Sequence, residues 1–274
     1  MKKIATIILN RNLPEVTDSL CGHLERFDGE LTDIFVVEAG SDAGKLSRRC
    51  TWYADWPEAK EHGLRYPRGM NFGLSRLVKE GRFSGYDAFF LLTNDTEFEK
   101  AAVLKPLMGV LAAHPRVGIL SPCSRLWGEK LLLQTQPTRY FWYIHNTAYL
   151  LRRQFIEDVM EKENPDHMNC LFDGANFRGY GTESELIAKG YANDWAAAIT
   201  TRVWAEENET HLLTKADLIR TETYEENLAL YLEEGRRWMR RKYGFNSRWV
   251  MQRHVKFLYD QFLEFHPEYE AYRI

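Results

Sequence analysis

The segment that decides the fold is Ile4 to Asn12, IATIILNRN, in which a short apolar run ends at three polar residues. The run is far shorter than the roughly 18 apolar residues that a membrane span needs, and it is also too short for the apolar core of a signal peptide. Short apolar runs that stop at polar side chains are typical of buried strands. The segment therefore predicts the first strand of a sheet, with Asn10, Arg11 and Asn12 at its carboxyl end.

Runs of the same kind recur along the first 120 residues, separated by stretches with helical spacing. The further strands are predicted over 33–37, 86–92 and 117–121, and the helices over 16–27, 70–80 and 101–113. Alternating buried strands and helices predict an α/β fold with a Rossmann-type, mainly parallel sheet that is flanked by helices.

The pattern becomes less regular after Pro122. Apolar runs predict further strands over 131–136 and 140–151, and helical spacing resumes over 183–189. Thr182 precedes that helix and Glu185 follows three residues later, which predicts a capping box.

Composition limits the class of protein. The 274 residues are 45% hydrophobic and 27% charged, which excludes a disordered or fibrous chain. A net charge of −3 gives the whole chain no attraction for a polyanion, so we expect no nucleic-acid partner. The four cysteines are widely spaced and include no CxxC pair, which favours reduced thiols in the cytoplasm over a zinc site or a disulfide framework.

Polar residues follow three of the predicted strands: Asn10 with Arg11, Glu38, and Asn94 with Asp95. Because ligands of open parallel sheets bind outside the carboxyl ends of the strands, these clusters predict a crevice for a polar ligand. A carboxylate in the position of Asp95 suits Mg²⁺ or Mn²⁺ bound against substrate phosphates. The alternative is that Asp95 caps the next helix.

Glu183 and Glu185 form a second acidic pair, which follows the glycine loop at 179–181. Either carboxylate can act as a general base if its surroundings raise its pKa. The alternative is a solvated first helical turn, which the helix dipole favours for acidic side chains. The spacing does not separate these readings.

Several motifs between residues 4 and 191 occur in a fixed order. They are Thr6–Arg11, Val36–Asp42, Arg68–Gly73, Phe89–Thr96, His114–Pro122, Asn146–Arg153 and Tyr180–Tyr191. In this order and near this spacing they resemble family 2 of the GT-A-fold glycosyltransferases. The resemblance implies a GT-A-like domain that transfers a sugar from a nucleotide-sugar donor to a hydroxyl acceptor. One metal-binding carboxylate and one distant base suit a single in-line displacement, which predicts inversion at the anomeric carbon.

The resemblance also implies roles for single residues. The donor-binding residues would be Asn10, Arg11, Glu38, Arg68, Asn71, Gly73 and Asn94. Asp95 would hold the Mg²⁺ or Mn²⁺ cofactor, with His211 as a further metal or phosphate ligand, and Thr93 stands where the family carries the first acid of its metal motif. Glu185 or Glu183 would deprotonate the acceptor hydroxyl.

Two other functions fit a parallel sheet with these polar clusters. A sugar-nucleotide nucleotidyltransferase also uses Mg²⁺, but it is expected to carry a glycine-rich, basic phosphate loop after the first strand, and Asn10–Pro14 lacks one. The second alternative is a GT-A-like protein that binds a glycan or nucleotide without turnover. We expect the transferase, acting on a glycan or lipid-linked acceptor in bacterial cell-surface polysaccharide synthesis.

The chain is divided into a GT-A-like domain, 1–220, and a helical C-terminal extension, 221–274. Between Gly235 and Phe257 the extension carries eight Lys or Arg residues and no acid, interleaved with aromatic residues. This composition predicts peripheral contact with an anionic membrane, such as the inner membrane surface of a cell that holds the protein in its cytoplasm. The alternative is a solvated basic helix face.

Overall fold

A central sheet organises the chain. A computed structural model gives its architecture and describes residues 3–145, 147–208, 210 and 223–274. The strands are β1 (Ile4–Asn10), β2 (Thr32–Glu38), β3 (Cys50–Tyr53), β4 (Ala88–Thr93), β5 (Thr96–Phe98), β6 (Val117–Cys123), β7 (Thr138–Tyr140), β8 (Ala148–Arg152) and β9 (Ala196–Glu207). The α-helices are α1 (Pro14–Asp28), α2 (Pro57–His62), α3 (Arg65–Lys79), α4 (Leu104–Ala113), α5 (Arg153–Val159), α6 (Thr182–Ala192), α7 (Tyr224–Tyr243) and α8 (Arg248–Phe265).

The strands lie in the order β3-β2-β1-β4-β8-β6-β9-β5, and β7 also pairs with β9. Parallel pairs join β3 to β2, β2 to β1, β1 to β4 and β6 to β9. β8 lies antiparallel between β4 and β6, so β6 and β9 point the same way as β1 to β4. The predicted α/β fold with a mainly parallel sheet flanked by helices is confirmed.

The register of the parallel strands brings the polar residues together. Asn10 of β1 is level with Glu38 of β2, and Leu9 is level with Thr93 of β4. The carboxyl ends of these three strands therefore form one edge, where the turns after β1, β2 and β4 begin.

Helix α3 lies close against the sheet because two of its inward positions are glycines. A Cβ atom on Gly73 would lie 2.8 Å from Ile7 Cγ2 and 3.2 Å from Val37 Cγ2. A Cβ on Gly69 would meet Leu9 at 2.8 Å. The glycines allow close helix–sheet contact directly beneath the edge described above.

Two predicted strands differ from the structure. Residues 131–136 form no strand, because a 3₁₀-helix runs from Gly128 to Leu133. Leu131 and Leu132 are exposed there, and of this apolar run only Leu133 is buried in the core. The predicted strand over 140–151 is two strands, since β7 ends at Tyr140 and pairs with β9, whereas β8 begins at Ala148 and pairs with β4 and β6.

The predicted capping box at the start of α6 is also wrong. Gly181 is the N-cap, with a left-handed backbone (φ 80°), and Thr182 lies inside the first turn. The Thr182 hydroxyl instead accepts a hydrogen bond from Asn176 Nδ2 at 3.2 Å. A complete capping box occurs at α7, where the Thr223 hydroxyl and the Glu226 carboxylate accept from each other's backbone N–H groups.

The helices of the extension pack on the sheet domain. Tyr259 and Phe262 of α8 belong to the same buried core as the strands, and both rings lie 5.5 Å from the Tyr191 ring of α6. In α7, Trp238 and Met239 form a smaller apolar cluster with Tyr180. Within the described ranges, no helix is long and apolar enough to cross a membrane.

Candidate functional site

Buried hydrogen bonds tie the first two strand ends together. Asn10 Nδ2 donates to both carboxylate oxygens of Glu38, at 3.0 and 2.8 Å. The Ser41 hydroxyl donates to the same carboxylate at 2.6 Å, and the Ser47 backbone N–H donates at 2.7 Å. Glu38 is fully buried, and burial raises the pKa of its carboxyl group. Its side chain holds the turn after β2 in place.

The third strand end joins this network through Asn94. Its Nδ2 donates to Asn10 Oδ1 at 3.2 Å and to the Thr17 hydroxyl at 3.1 Å. Asn10 Oδ1 also accepts from the Leu13 backbone N–H at 3.2 Å, where the chain turns into α1. Asn10 is therefore the side chain that links the ends of β1, β2 and β4.

A cavity of about 210 Å³ opens above these strand ends. Its lining residues are Leu9, Asn10, Arg11, Leu13, Ala39, Arg65, Tyr66, Thr93, Asn94 and Asp95. Typical small-molecule sites have volumes of about 300–1,000 Å³, so this cavity fits one part of a nucleotide-sized ligand. Two arginines and one aspartate give the lining polar recognition groups of both signs.

Four of the residues predicted to bind donor or metal meet in this cavity: Asn10, Arg11, Asn94 and Asp95. Arg11 Nη2 donates to the backbone carbonyl of Glu61 at 3.2 Å, which brings its side chain over the end of α2. Asp95 follows β4 directly, and its backbone carbonyl accepts from the Asn208 N–H at 2.9 Å. This hydrogen bond continues the pairing of β5 with β9 and fixes the backbone of Asp95 beside the cavity.

The chemistry of the lining fits a divalent cation that is shared with a ligand. Asp95 is the carboxylate among the lining residues, and within the described part of the chain no group of three or more His, Cys, Asp or Glu side chains converges. Mg²⁺ and Mn²⁺ are commonly bound through one or two protein carboxylates when substrate phosphates and water complete the coordination. His211, the other predicted metal ligand, lies outside the described residues.

Glu183 occupies the first turn of α6, directly after the glycine loop. Burial raises the pKa of its carboxyl group to about 7, although the positive charge of Arg248 lowers it. The same carboxylate helps burial to raise the pKa of Tyr66, whose ring lines the cavity. Glu183 is therefore close enough to Tyr66 for its charge to act on that side chain.

Glu185 lies two residues further along α6 and meets different neighbours. It is buried, its carboxylate pairs with Lys242 Nζ at 2.8 Å, and the Tyr243 hydroxyl donates to it. Lys242 also pairs with Asp173 at 2.7 Å. Glu185 thus fastens α6 to α7, and neither Glu185 nor Glu183 is among the residues that line the cavity.

The lining of the cavity does not include the four other predicted donor residues, Glu38, Arg68, Asn71 and Gly73. Asn71 Oδ1 accepts from the backbone N–H groups of Leu171 and Phe172 at 3.0 and 2.9 Å, and its Nδ2 donates to the Phe172 carbonyl at 2.8 Å. Phe172 in turn packs edge-on against Tyr66, with ring centroids 5.5 Å apart. Gly73 lies under the sheet as described above.

Arg68 binds protein groups on both sides. Its Nε donates to the Gly174 carbonyl and its Nη1 to Glu58, both at 2.8 Å, and its guanidinium lies 4.7 Å from the Phe177 ring centroid. These contacts hold the 173–177 loop next to α3.

Sequence reasoning did not single out Tyr66 or Arg65, which also line the cavity. The Tyr66 hydroxyl is buried and has no hydrogen-bond partner among the described residues. Arg65 opens α3 with a left-handed backbone (φ 53°), which is uncommon outside glycine. The available sequence signal is that Gly63 and Pro67 flank both residues, as is typical of a turn. This segment lies just before the predicted donor-binding motif at 68–73.

Comparison with known protein structures identifies the fold of the chain. No protein-family model and no curated protein matches the chain. The structure is similar to GalNAc-T7 solved with UDP, GalNAc and Mn²⁺, at 11% identity and a TM-score of 0.51, over 76% of this chain and 44% of that one. It is also similar to TarS from S. aureus, at 11% identity and a TM-score of 0.50, over 86% of this chain and 43% of that one. The chain spans less than half of either protein, and the overlap gives it the GT-A fold that the sequence resemblance predicted.

Proposed function

We propose that the chain is a glycosyltransferase that moves a sugar from a nucleotide-sugar donor to a hydroxyl acceptor. One observation carries the proposal. Tyr66 and Asp95 line the same cavity, and the Glu183 carboxyl group, with a pKa of about 7, is close enough to Tyr66 for its charge to act on that side chain. A charge-stabilising carboxylate thus lies in the cavity and a group titrating near neutral pH lies within electrostatic reach of its lining, on a fold shared with GalNAc-T7.

Glu183 is the proposed general base. In its ionised form it takes the proton of the acceptor hydroxyl while the acceptor oxygen forms a bond to the anomeric carbon and the bond from that carbon to the nucleoside diphosphate breaks. A base is most effective when its pKa lies near the working pH, because it is then largely ionised yet still basic. Burial brings Glu183 into this range.

The donor diphosphate is proposed to lie between Arg11, Arg65 and Asp95. The two guanidinium groups bind phosphate oxygens directly, since arginine presents paired N–H donors to such groups. Asp95 holds Mg²⁺ or Mn²⁺, which when bound offsets the charge that develops on the leaving diphosphate. Asn10 and Asn94 keep the floor of the cavity rigid through their mutual hydrogen bond.

A single displacement with one base inverts the anomeric centre, so we propose an inverting transferase. Its acceptor is a glycan or a lipid-linked glycan of bacterial cell-surface polysaccharide, and the protein works in the cytoplasm. Tyr231 of α7 and Arg248 of α8 lie within electrostatic reach of the Glu183 carboxylate.

Calorimetric titration tests this function. UDP, GDP and dTDP are titrated into the chain with and without Mn²⁺, and we expect metal-dependent binding of at least one. Asp95→Asn should remove the metal dependence, whereas Glu97→Gln, two residues further on and exposed, should keep it. Absence of binding for all three nucleotides would overturn the proposal, and binding without sugar hydrolysis or transfer in a donor screen would favour the non-catalytic alternative.

A further inference from the structure

The outward face of α8 carries large apolar side chains. Trp249, Val250, Phe257 and Phe265 expose 67%, 42%, 58% and 73% of their surface. The opposite face of the helix is buried, through Met251, Val255, Tyr259, Phe262 and Leu263. A helix on a protein surface normally turns polar residues outward, so a second apolar face requires its own explanation.

Three exposed residues form one row, because side chains four apart lie on the same side of a helix: Trp249, Arg253 and Phe257 follow one another along the outward face of α8. Val250 lies beside this row, and Phe265, eight residues after Phe257, is rotated from it by about 80° around the helix axis. We call these five residues the α8 outer face. It combines two aromatic rings on either side of an arginine with further apolar surface at the C-terminal end.

Exposed positive charge lies on this face at Arg253 and on α7 of the same extension. Arg236, Arg241 and Arg253 are exposed, and among the described residues none of the three has an acidic partner within ion-pair distance. Other basic residues nearby are neutralised, since Arg237 pairs with Glu233 and Lys256 with Asp260. Unpaired positive charge and exposed aromatic rings therefore coincide on the extension.

We propose that the α8 outer face binds the surface of an anionic lipid bilayer, with the helix lying in the plane of the interface. Aromatic rings are stable at the depth of the lipid headgroups, and arginines beside them pair with anionic headgroups. A second copy of this chain is a poorer occupant, because face-to-face pairing would bring the Arg253 side chains of both copies together.

This orientation has a consequence for the site, which rests on the proposed function. Arg248, the first residue of α8, is close enough for its charge to act on Glu183, and Trp249 follows it on the outward side. The proposed bilayer contact at Trp249 therefore adjoins in sequence a side chain whose charge acts on the proposed base.

Vesicle sedimentation of the full chain tests the proposal. Phosphatidylcholine vesicles with and without phosphatidylglycerol serve as the probe. We expect binding to the anionic vesicles only, weakened by salt. Arg253→Gln should weaken binding about fivefold, and Trp249→Ser combined with Phe257→Ser about tenfold or more.

A matched control removes exposed apolar surface elsewhere. Leu126 and Leu131 expose 75% and 62% of their surface outside the extension, so Leu126→Ser with Leu131→Ser should leave vesicle binding unchanged. Urea unfolding midpoints confirm that each variant is folded. Absence of binding to anionic vesicles, or equal binding by both double variants, would overturn the proposal, as would dimers that the Trp249/Phe257 variant dissociates. Nucleotide titration is independent of this outcome, so the two proposals fail separately.

Discussion

Two carboxylates on one helical turn show how strongly local surroundings decide chemistry. Glu183 and Glu185 are separated by one residue at the start of α6. Glu185 meets Lys242 and Tyr243, which bind its ionised form. Glu183 is half-buried with Arg248 as a positive neighbour, and desolvation raises its carboxyl pKa to about 7. Glu185 is thus suited to a structural role, and Glu183 is suited to exchanging a proton.

We predict that turnover depends on the ionisation of Glu183. Because the base must be deprotonated, kcat/KM should fall about tenfold per pH unit below about 7. Glu183→Gln should lower kcat by about 10²–10⁴-fold and leave nucleotide binding intact. Steady-state kinetics across pH, with calorimetry for binding, measure both effects. Glu185→Gln is the control and should keep the fall in kcat/KM at acidic pH. If Glu185→Gln abolishes turnover in folded protein and Glu183→Gln does not, a base role for Glu183 is excluded.

The raised pKa of Glu183 also predicts how the stability of the folded protein depends on pH. Folding raises the Glu183 pKa above its ordinary value of 4.5, so the folded state favours the protonated carboxyl group. This site therefore destabilises the protein progressively as the pH rises from 4.5 through about 7. Glu183→Gln should remove that part of the pH dependence. Urea midpoints of both proteins, measured from pH 5 to about pH 8, should converge at the acidic end and separate at the basic end, with the variant more stable.

Glu38 is expected to matter for stability. Glu38→Ala would leave the donors of Asn10, Ser41 and Ser47 buried without their acceptor. We predict a loss of about 2–4 kcal/mol in the free energy of unfolding, since each unsatisfied buried group costs about 1–3 kcal/mol. Glu38→Gln keeps one acceptor oxygen and should cost less. Equal stability of Glu38→Ala and the parent in urea titration would contradict this structural role.

At the scale of elements, the contact between α6 and α7 holds the proposed base in place. Lys242 of α7 bridges Glu185 of α6 and Asp173 of the preceding loop. Trp238 Nε1 also donates to Asp173 at 2.9 Å. The first turn of α6 is thereby fixed by a helix that begins more than thirty residues after α6 ends.

Lys242→Met is predicted to lower the free energy of unfolding by about 1–2 kcal/mol, because it leaves the buried Glu185 carboxylate without its cation while solvent screens part of the pair. Arg241→Met changes an exposed neighbour and should stay within about 0.5 kcal/mol of the parent. Urea denaturation compares the two. A larger effect of Arg241→Met than of Lys242→Met would show that the bridge is not the tie between these helices.

The strands that the sequence predicts correctly are those in which the apolar positions of the sequence are also the buried positions of the structure. β1, β2 and β4 bury nearly every residue, so their runs are unambiguous. The run that contains Leu131 and Leu132 is equally apolar, but these two side chains lie exposed in a 3₁₀-helix. The apolar character of a run therefore does not by itself predict whether its side chains are buried. Thr182 lost its predicted capping role because Gly181, with its left-handed backbone, ends the loop one residue earlier.

The site was predictable where it follows strand ends. Asn10, Asn94 and Asp95 line the cavity because parallel strands bring their carboxyl ends to one edge. The partners of Glu185 were not predictable, since Lys242 and Tyr243 reach it from a helix distant in sequence. Tyr66 was missed for the same reason, because its place is set by Phe172 and Asn71 across the loop at 167–174.

At the scale of the whole molecule, the sheet and the extension share one interior. Val255, Tyr259, Phe262 and Leu263 of α8 lie in the same buried cluster as β1 and β4. The predicted division at residue 220 separates two parts of the sequence whose side chains pack together at α6 and α8. We therefore propose that they unfold together.

This makes a calorimetric prediction. The full chain should melt in one transition whose calorimetric and van't Hoff enthalpies agree. Phe262→Ala should lower the free energy of unfolding by about 3–5 kcal/mol, as for other buried rings, and shift that single transition as a whole. Two resolved transitions, with only the smaller one moved by Phe262→Ala, would show instead that the extension is an independent unit.

The position of β8 in the sheet determines which strand edges stay unpaired while the chain is being synthesised. β4 and β6 are successive long strands of the sheet, yet β8 lies between them and is synthesised later. Until Arg152 has left the ribosome, the edges of β4 and β6 that face each other have no strand to pair with. Open edges of this kind recruit other strands, including those of neighbouring nascent chains. A chain cut short before Ala148 would keep both edges open, so shortening it there leads towards aggregation rather than to a smaller folded protein.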